Sequence, residues 1–258
     1  FLDAEKAFDR VAWEYLWSAL KFFAVGEAFI SAVRSLYLCP SATLGIMGLE
    51  SSSFGIQRGA RQGGPCSPLL FALYINPFID LLLLSPSIPP VLSRGYCTKV
   101  LAYADDIAVV SSNPRVAIQT VEVLAADFGR VSGYKLNTSK TQVLRNGFCS
   151  GHSPWDVQDP VYLGVTLVAQ VDRIVSVNFD PLLAKVDATL KKVNNVHLTI
   201  IGRGNYIKMM VLPIFLYLFQ AIPLYFPKSY FIRLDAMCSR FMWSYKTPRR
   251  AFRKLALS

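Results

Sequence analysis

The stretch L-A-Y-A-D-D-I-A-V-V, residues 101–110, places two adjacent carboxylates between two short apolar runs. The run that ends at Tyr103 and the run that begins at Ile107 each have the length and composition of a β-strand, so together they predict a β-hairpin. Asp105 and Asp106 would then form an acidic tip. A polar turn without further role is the ordinary alternative for an isolated Asp-Asp pair. The apolar strands on both sides weaken that alternative because they place the carboxylates close to a core.

A further carboxylate lies at the start of the chain, where Phe1-Leu2-Asp3 has the character of a strand end. If that strand pairs with the hairpin, Asp3 converges with Asp105 and Asp106. Carboxylates gathered without histidine favour a hard cation with oxygen ligands, meaning Mg²⁺ or Mn²⁺. Two such ions would stabilise the attacking and leaving oxygens of a phosphoryl transfer. The two histidines, and five cysteines without a C-x-x-C pair, give no support to a histidine- or cysteine-built site.

The rest of the sequence predicts a mixed fold of helices and short strands. Asp9 is expected to cap a helix over about residues 10–23, and dipeptides ending in proline are expected to open three later helices. These dipeptides are Ser67-Pro68, Asn113-Pro114 and Asp180-Pro181. The second of these helices should bury one stripe, made of Ala117, Val121, Leu124, Phe128 and Val131. Strands are expected around 41–48, 53–57, 141–145 and 161–167, with a domain boundary near 172–180.

The net charge of +10 is concentrated at the C-terminal end of the sequence. Residues 1–180 hold 14 basic and 15 acidic side chains, whereas residues 181–258 hold 13 and 2. Such a segment repels itself unless a polyanion lies against it, and nucleic acid is the first candidate. A solvated basic face and a membrane-surface patch are the alternatives. Because 53% of all residues are hydrophobic, a disordered chain is excluded.

Two apolar stretches approach the length of a membrane span. The nineteen uncharged residues between Lys208 and Lys228 are interrupted by two prolines and a glutamine, which favours a kinked, buried helix. The run over 67–84 contains Asn76 and Asp80, which argues against a span there as well. We therefore expect no stable membrane insertion.

Five blocks of the sequence, in family order, resemble the motifs of reverse transcriptases from non-LTR (LINE-type) retrotransposons. They are FLDAEKAFDRV (1–11), RGARQGGPCSPLLFALYI (58–75), LAYADDIAVV (101–110), SGYKLNTSKTQV (132–143) and YLGVTL (162–167). The tail FMWSYKTPRR (241–250) resembles the segment that ends the thumb in these elements. The resemblance implies an α+β fold, with a polymerase palm of antiparallel sheet and packed helices over 1–172 and a basic helical thumb over 178–258.

The resemblance also implies an activity and its cofactor. The implied reaction is RNA-directed DNA synthesis, in which deoxynucleotides are added to a DNA primer on an RNA template with two Mg²⁺ ions, Mn²⁺ being a possible substitute. Asp3 and Asp105 match the metal ligands and Asp106 the adjacent supporting carboxylate. Phe8 matches the aromatic residue that crowds a 2′-hydroxyl on the incoming nucleotide. Lys140 matches a lysine near the triphosphate, where it could protonate the leaving group.

Other positions match contacts to the nucleotide, template and primer. Gln62 matches a glutamine that reaches the nucleotide sugar, and Gly63 a glycine that lets backbone approach the template base. Basic residues and a strand turn complete the set of implied contacts to phosphates, template or primer: Arg58, Arg61, Tyr162, Leu163, Gly164, Lys185, Lys192, Arg249 and Arg250. Asp9 is assigned to helix capping rather than to chemistry.

Parts of the family pattern have no match in the sequence: the fingers, an endonuclease domain and a terminal Cys/His knuckle. We therefore expect a fragment of a larger polyprotein with weak or no activity by itself. The alternatives are an inactive fragment, a non-catalytic nucleic-acid-binding relative and an RNA-dependent RNA polymerase, against which Phe8 argues. The resemblance implies an intracellular location, nuclear and cytoplasmic.

Overall fold

A computed structural model describes residues 1–93, 95–145 and 155–246 of the chain. These residues divide into two compact units, each with a hydrophobic core of its own. The first unit consists of Phe1–Val143 together with Trp155 and Asp156. The second consists of Leu144, Arg145 and the described residues from Val157 onward. The prediction of a mixed fold of helices and antiparallel strands is confirmed.

Four helices form the framework of the first unit: α1 (Trp13–Phe22), α2 (Glu27–Ser35), α3 (Ser67–Leu84) and α4 (Pro114–Ser132). Helix α3 occupies the centre and packs against α1 and α4. Its Phe71, Tyr74 and Phe78 side chains are buried, and the Phe78 ring stacks on Phe128 of α4 at a centroid distance of 5.2 Å. Among the described helices, α3 alone has the length and apolar composition to cross a membrane, and here it forms the middle of a core.

The strands of the first unit form antiparallel pairs of two to four residues. The pairs are β1 (Ser41–Ala42) with β4 (Phe54–Gly55), β2 (Gly45–Ile46) with β3 (Leu49–Glu50), β5 (Val91–Ser93) with β6 (Tyr96–Thr98), and β7 (Val100–Tyr103) with β8 (Asp106–Val109). The hairpin predicted around the Asp-Asp pair is therefore present. The strand predicted at 141–145 is reduced to a single bridge between Val143 and Asp156.

Helix α1 begins later than predicted, and Asp9 does not cap it. Residues Ala7–Arg10 instead form a separate 3-10 turn, which follows Lys6 in a left-handed conformation with φ 50°. The chain is extended again at Ala12, whose amide donates to the carbonyl of Ser132, and α1 starts at Trp13. The hydrogen bond to Ser132 thus holds Ala12 in an extended conformation and delays the start of the helix that the local sequence favours.

Helix α4 begins as predicted, because the Asn113 side chain accepts a hydrogen bond from the Val116 amide. Its buried stripe differs from the prediction at two positions. Ala125 is buried in place of the half-buried Leu124, and Ser132 is buried in place of Val131, which is 62% exposed. The Ser132 hydroxyl donates to the Phe128 carbonyl, which satisfies its hydrogen-bonding need in the core. The stripe is Ala117, Val121, Ala125, Phe128 and Ser132.

The second unit combines one hairpin with helices. Its elements are β9 (Val161–Tyr162), β10 (Val165–Thr166), α5 (Ile174–Val193), α6 (Ile200–Tyr206), a π-helical turn (Ile207–Val211), α7 (Leu212–Ala221) and α8 (Lys228–Met242). The core is centred on Phe179, Leu190, Phe215 and Phe241. The π turn lies just before Pro213, where a wider turn avoids the clash between a proline ring and the carbonyl four residues earlier.

Helix α5 begins at Ile174, so the prediction that Asp180-Pro181 opens this helix is wrong. Pro181 lies inside the helix, and the Asp180 carboxylate pairs with Arg233 of α8 at 2.6 Å instead of capping. Phe179, one residue before Asp180, is buried in the second core. This packing stabilises a helical turn before Asp180, so the helix starts earlier.

The compact units also separate earlier than the predicted boundary at 172–180. The hairpin β9–β10 belongs to the second unit because Val165 lies in its core and the Asn178 side chain of α5 bonds to both backbone groups of Thr166. The assignment of palm and thumb to these units stays a prediction.

Candidate active site

Strand pairing brings Asp3 to the acidic hairpin tip. Leu2 forms an antiparallel bridge with Ile107, and the Leu2 amide donates to the Ile107 carbonyl at 2.8 Å. In an antiparallel ladder the residue after Leu2 faces the residue before Ile107, so Asp3 lies opposite Asp106. Ile107 is buried and anchors this end of β8 in the core. The predicted convergence of the N-terminal strand with the hairpin is therefore present in the backbone.

The hairpin tip itself is a two-residue turn. Tyr103 pairs with Asp106, which leaves Ala104 and Asp105 as the residues that reverse the chain. Ala104 has φ 51°, in the left-handed region that alanine rarely adopts. The tight turn holds Asp105 directly next to Asp106 rather than on a loose loop.

A third segment flanks Asp3 on the side opposite the hairpin. The Asn137 amide donates to the Asp3 carbonyl at 2.8 Å, and Ala4 forms a bridge with Leu136. Lys140 is exposed in the turn that follows, with its amide bonded to the Asn137 carbonyl. The lysine-bearing block is thus attached to the strand that carries the first aspartate.

The charges of Asp3 and Asp105 act on the carboxyl group of Asp106. Partial burial raises the pKa of Asp106, and the charges of Asp105 and Asp3 raise it further. The Tyr134 hydroxyl also has a raised pKa, mainly because of its burial, with contributions from Tyr74, Asp3 and Asp105. Repulsion of this kind is what a bound divalent cation relieves.

The donor set fits a hard cation in its chemistry, since all three side chains offer carboxylate oxygens. Within the described parts of the chain, however, no three Asp, Glu, His or Cys side chains are grouped closely enough to hold a metal ion. Strand pairing therefore brings the backbone of the candidate ligands to one end of the hairpin, but their side chains do not converge on a single point.

A second junction joins the segment 58–62 to the residues around Phe8. The Ala60 amide donates to the Phe8 carbonyl at 2.7 Å, the Gly59 amide to the Val11 carbonyl at 2.8 Å, and the Trp13 indole to the Gly59 carbonyl at 2.8 Å. Gly59 has φ 103°, and a Cβ there would lie 3.1 Å from a backbone oxygen of the neighbouring segment. Only glycine permits this approach without strain.

The side chains at this junction include several of the predicted nucleotide contacts. The half-buried Phe8 ring stacks on Phe71 of α3, with ring centroids 4.3 Å apart. The Gln62 side chain is exposed and its amide nitrogen donates to the Asp9 carboxylate at 3.2 Å. Gly63 has φ 76°, a left-handed turn conformation. Arg58 and Arg61, in the same segment of the chain, are both exposed.

Asp9 contacts a candidate site residue in a way that the sequence does not predict. It was assigned to capping, but its carboxylate accepts from Gln62, which lies 53 positions further along the chain. Its position immediately after Phe8 was the available signal. No local pattern could reveal the partner, because the contact depends on how the two segments pair.

The second unit carries the predicted primer contacts. Leu163 and Gly164 form the turn of the β9–β10 hairpin, both with positive φ, and Tyr162 precedes them on β9. The Tyr217 hydroxyl of α7 donates to the Leu163 carbonyl.

The predicted basic contacts lie on the same unit. Lys185 and Lys192 are exposed on α5, as their spacing away from the apolar stripe predicted. Arg249 and Arg250 lie outside the described residues.

Comparison with known proteins agrees with this arrangement. A family profile described as reverse transcriptase (RNA-dependent DNA polymerase) matches residues 1–167. The chain belongs to the reverse transcriptase family. The match ends just after the β9–β10 hairpin, and it includes every block that bears the candidate carboxylates and nucleotide contacts.

The curated relatives of this reverse transcriptase chain come from retrotransposons. A Transposon TX1 uncharacterized 149 kDa protein of Xenopus laevis is 30% identical over 194 residues, which covers 69% of this chain and 14% of that protein. A Pol polyprotein from the type-2 retrotransposable element R2DM of Drosophila melanogaster is 30% identical over 139 residues, covering 54% and 13%. A Pol polyprotein from the type-1 element R2 of Popillia japonica is 29% identical over 141 residues, covering 54% and 20%.

These relatives confirm the predicted membership of the non-LTR reverse transcriptases. The chain spans no more than a fifth of the length of the three relatives described.

Proposed function

We propose that the chain carries the polymerase centre of a non-LTR retrotransposon protein, acting inside the cell. It would add deoxynucleotides to the 3′ end of a DNA primer while copying an RNA template. One observation supports the proposal: in a member of this family, the Leu2–Ile107 bridge sets Asp3 opposite Asp106, the residue that follows Asp105.

The carboxylates of Asp3 and Asp105 are proposed to hold two divalent ions, with Asp106 as the supporting carboxylate. Mg²⁺ suits an all-oxygen donor set, and Mn²⁺ is an alternative. When bound, the ions would supply stabilisation of the negative charge on the attacking and leaving oxygens of an in-line phosphoryl displacement. Burial raises the pKa of Asp106, and the charges of Asp105 and Asp3 raise it further, which is a repulsion that a bound divalent cation would offset.

The junction around Phe8 is proposed to select and orient the nucleotide. The Phe8 ring is fixed against Phe71, so it cannot easily move aside for a 2′-hydroxyl, and it offers that hydroxyl no hydrogen bond. Gln62 is proposed to meet the sugar, Gly63 to approach the template base, and Arg58 and Arg61 to contact phosphate oxygens. Lys140 is proposed to protonate the leaving pyrophosphate.

The first unit is proposed to act as the palm and the second unit as the thumb. The first unit holds the carboxylates and the nucleotide contacts. The β9–β10 hairpin, with Tyr162, Leu163 and Gly164, is proposed to hold the primer end. The exposed Lys185 and Lys192 of α5 are proposed to contact the sugar-phosphate backbone.

A second candidate function is nucleic-acid binding without catalysis. The observation in its favour is that the described side chains form no group of three metal ligands. A relative of this kind would keep the basic helices and the hairpin but would not extend a primer.

Primer extension separates the two candidates. The purified chain is incubated with a DNA primer annealed to an RNA template, deoxynucleotides and Mg²⁺, beside the variants Asp105→Asn and Asp127→Asn. Asp127 is the matched control, because it lies exposed on α4, paired with Arg130. We expect at least a roughly 100-fold loss of extension with Asp105→Asn, since removing a transition-state charge stabiliser commonly costs 10²–10³ in rate, and no change with Asp127→Asn.

Equal extension by wild type and Asp105→Asn would remove the catalytic assignment. Binding of the template-primer without any extension by the wild type would favour the two alternatives without catalysis, an inactive fragment and a non-catalytic binding relative.

A further inference from the structure

We infer that the buried hydroxyl of Tyr134 is a hydrogen-bond donor to the Asp3 carboxylate, and that this bond orients Asp3 when a divalent cation is bound. Tyr134 is then a positioning residue of the acidic site, which acts through Asp3 and does not itself touch the cation. The inference rests on the proposed function, because it takes Asp3 as a metal ligand. It adds to that function a residue to which the family resemblance assigns no role.

The Tyr134 hydroxyl is a polar group that the core leaves unpaired. The residue is 6% exposed, and its hydroxyl oxygen is buried without a hydrogen-bond partner among the described residues. Buried polar groups in native proteins are nearly always paired, because an unpaired one has lost its bonds to water without replacement. The buried phenol therefore indicates an acceptor that comes within reach when a nearby side chain changes its orientation.

The acidic side chains whose charges reach this hydroxyl are the proposed metal ligands. Burial is the main cause of the raised pKa of Tyr134, followed by Tyr74 and then by the charges of Asp3 and Asp105. The Tyr74 hydroxyl already has a partner, because it donates to the Ser132 carbonyl at 3.1 Å. Two carboxylates thus act on the Tyr134 hydroxyl without a hydrogen bond to it, and an ionised carboxylate is the strongest acceptor that a phenol can find in a protein.

Asp3 is the carboxylate whose strand is tied to the segment that carries Tyr134. The Glu5 amide donates to the Lys135 carbonyl at 2.9 Å, and the Asn137 amide donates to the Asp3 carbonyl at 2.8 Å. Asp3 also has the larger effect of the two acidic residues on the hydroxyl. Because the backbone contacts fix the two residues relative to each other, a rotation of the Asp3 side chain is the movement that the bond requires.

The ring of Tyr134 is held in the core by contacts that do not involve its hydroxyl. The ring centroid lies 5.0 Å from that of Phe78 and 5.6 Å from that of Phe128. The Tyr134 amide donates to the Ser132 hydroxyl at 3.1 Å. Replacement by phenylalanine keeps these contacts, so Tyr134→Phe removes the donor alone.

A donor to Asp3 acts on cation binding through the ligand. Groups that hydrogen-bond to a metal ligand fix its orientation, and their loss commonly weakens metal binding 10–100-fold. Without the cation the same hydroxyl destabilises the fold, because it is buried and unpaired. Removing it should therefore have opposite effects on metal binding and on the stability of the metal-free protein, which a tyrosine with a purely structural role would not show.

The test measures Mn²⁺ binding and thermal unfolding of the full chain. Mn²⁺ alone is titrated into wild type and Tyr134→Phe, and the free ion is followed by electron paramagnetic resonance. We expect Tyr134→Phe to weaken Mn²⁺ binding at least roughly 10-fold. With a chelator present, the same variant should raise the Tm by about 2–4 °C, since it removes an unpaired buried group.

Tyr74→Phe is the matched control. It removes a buried hydroxyl from the same core, but one that has a partner in the Ser132 carbonyl. We expect it to lower the Tm in the presence of the chelator and to leave Mn²⁺ binding unchanged.

Two further backgrounds identify the acceptor. In Asp106→Asn, which keeps Asp3, adding Tyr134→Phe should weaken Mn²⁺ binding by the same factor as in wild type. In Asp3→Asn, which lacks the charged acceptor, adding Tyr134→Phe should have little further effect, because the two residues act through one contact. Equal further losses in both backgrounds would exclude Asp3 as the acceptor and overturn the inference.

The remaining outcomes separate the inference from the proposed function. Unchanged Mn²⁺ binding in Tyr134→Phe, beside a loss in Asp105→Asn, overturns the role of Tyr134 and leaves the metal assignment standing. Weaker binding together with a Tm that falls as in Tyr74→Phe also overturns it, because the hydroxyl then supports the fold. Equal Mn²⁺ binding by wild type and Asp105→Asn overturns the metal assignment, and the role of Tyr134 with it.

Discussion

At the scale of single residues, the ionised carboxylate of Asp106 destabilises the folded state. A raised pKa means that folded Asp106 binds its proton more tightly than the unfolded chain does. The contribution of this residue to stability therefore falls as the pH rises from the ordinary carboxyl value through the raised one. At neutral pH the charges of Asp105 and Asp3 repel the Asp106 carboxylate, and a bound divalent cation would offset that repulsion.

Replacing Asp106 by asparagine should consequently stabilise the metal-free protein at pH 7. We expect a gain of about 0.2–1 kcal/mol, the range for interactions between facing strand residues, and no gain near pH 3, below the raised pKa of Asp106, where that carboxyl group is protonated. Thermal unfolding with a chelator present measures both values. The same variant should show a smaller rise in Tm on addition of Mg²⁺. A variant that is less stable than wild type at pH 7 would contradict the repulsion argument.

The Phe8 ring gives a second prediction at this scale. Phe8→Val should open space beside the sugar and increase the use of ribonucleotides, so the preference for deoxynucleotides should fall by at least roughly 10-fold, the discrimination that one tightly packed contact supplies. Phe22→Val is the control, because Phe22 is 77% exposed at the end of α1. Single-nucleotide addition with matched deoxy and ribo substrates is the measurement. No gain in ribonucleotide use would remove Phe8 from sugar selection and leave the metal ligands unaffected.

At the scale of elements, the helices and hairpins that local sequence signals specify could be predicted from the sequence. Helix α3 and the start of α4 follow from a proline in the first turn and an asparagine cap, and the hairpin follows from apolar runs around a polar turn. The errors occur where a distant partner overrides the local signal. Asp9 bonds to Gln62, and Asp180 pairs with Arg233, so neither residue caps a helix.

In the candidate site too, the residues of sequence motifs could be predicted, whereas contacts between distant segments could not. The sequence order of the motifs named Asp3, Asp105 and Asp106. Strand pairing sets Asp3 opposite Asp106 in the backbone, but no three metal-ligating side chains of the described residues are grouped closely enough to hold an ion. The Asp9–Gln62 contact could not be predicted, because it requires the register between two segments 53 positions apart.

The hairpin β9–β10 depends on one buried amide. Asn178 of α5 accepts from the Thr166 amide and donates to the carbonyls of Thr166 and Ile174, all at 2.8 Å. Asn178→Leu would leave the amide and the carbonyl of Thr166 without their partner, at a cost of about 2–3 kcal/mol in unfolding free energy. Asn195→Leu, at an exposed position after the same helix, should cost much less. Denaturant unfolding of both variants is the check, and equal losses would refute the role of the amide.

At the scale of the whole molecule, the excess of basic side chains in residues 181–258 overstates how many cations are available to bind a polyanion. Residues 181–258 hold 13 of the 27 basic side chains, yet some of these are already engaged within the fold. Lys191 and Arg240 share Asp187, at 2.6 and 3.9 Å, and Arg233 pairs with Asp180. Arg203 is buried, with its guanidinium over the Phe241 ring. The capacity to bind a polyanion therefore rests on fewer cations than the composition suggests.

Lys185 and Lys192 are the clearest candidates among those that remain. They are seven residues apart on α5, two turns along one face, and both are exposed. Replacing both with glutamine should weaken binding to an RNA–DNA template-primer and reduce the slope of log K against log salt concentration by about 1.4–1.8, the value for two lost phosphate contacts. The control replaces Lys21 and Arg130, exposed cations of the first unit that are paired with Glu27 and Asp127. Because both double variants lose two charges, a general effect of net charge would lower the two slopes equally, whereas direct phosphate contacts on α5 would lower only one.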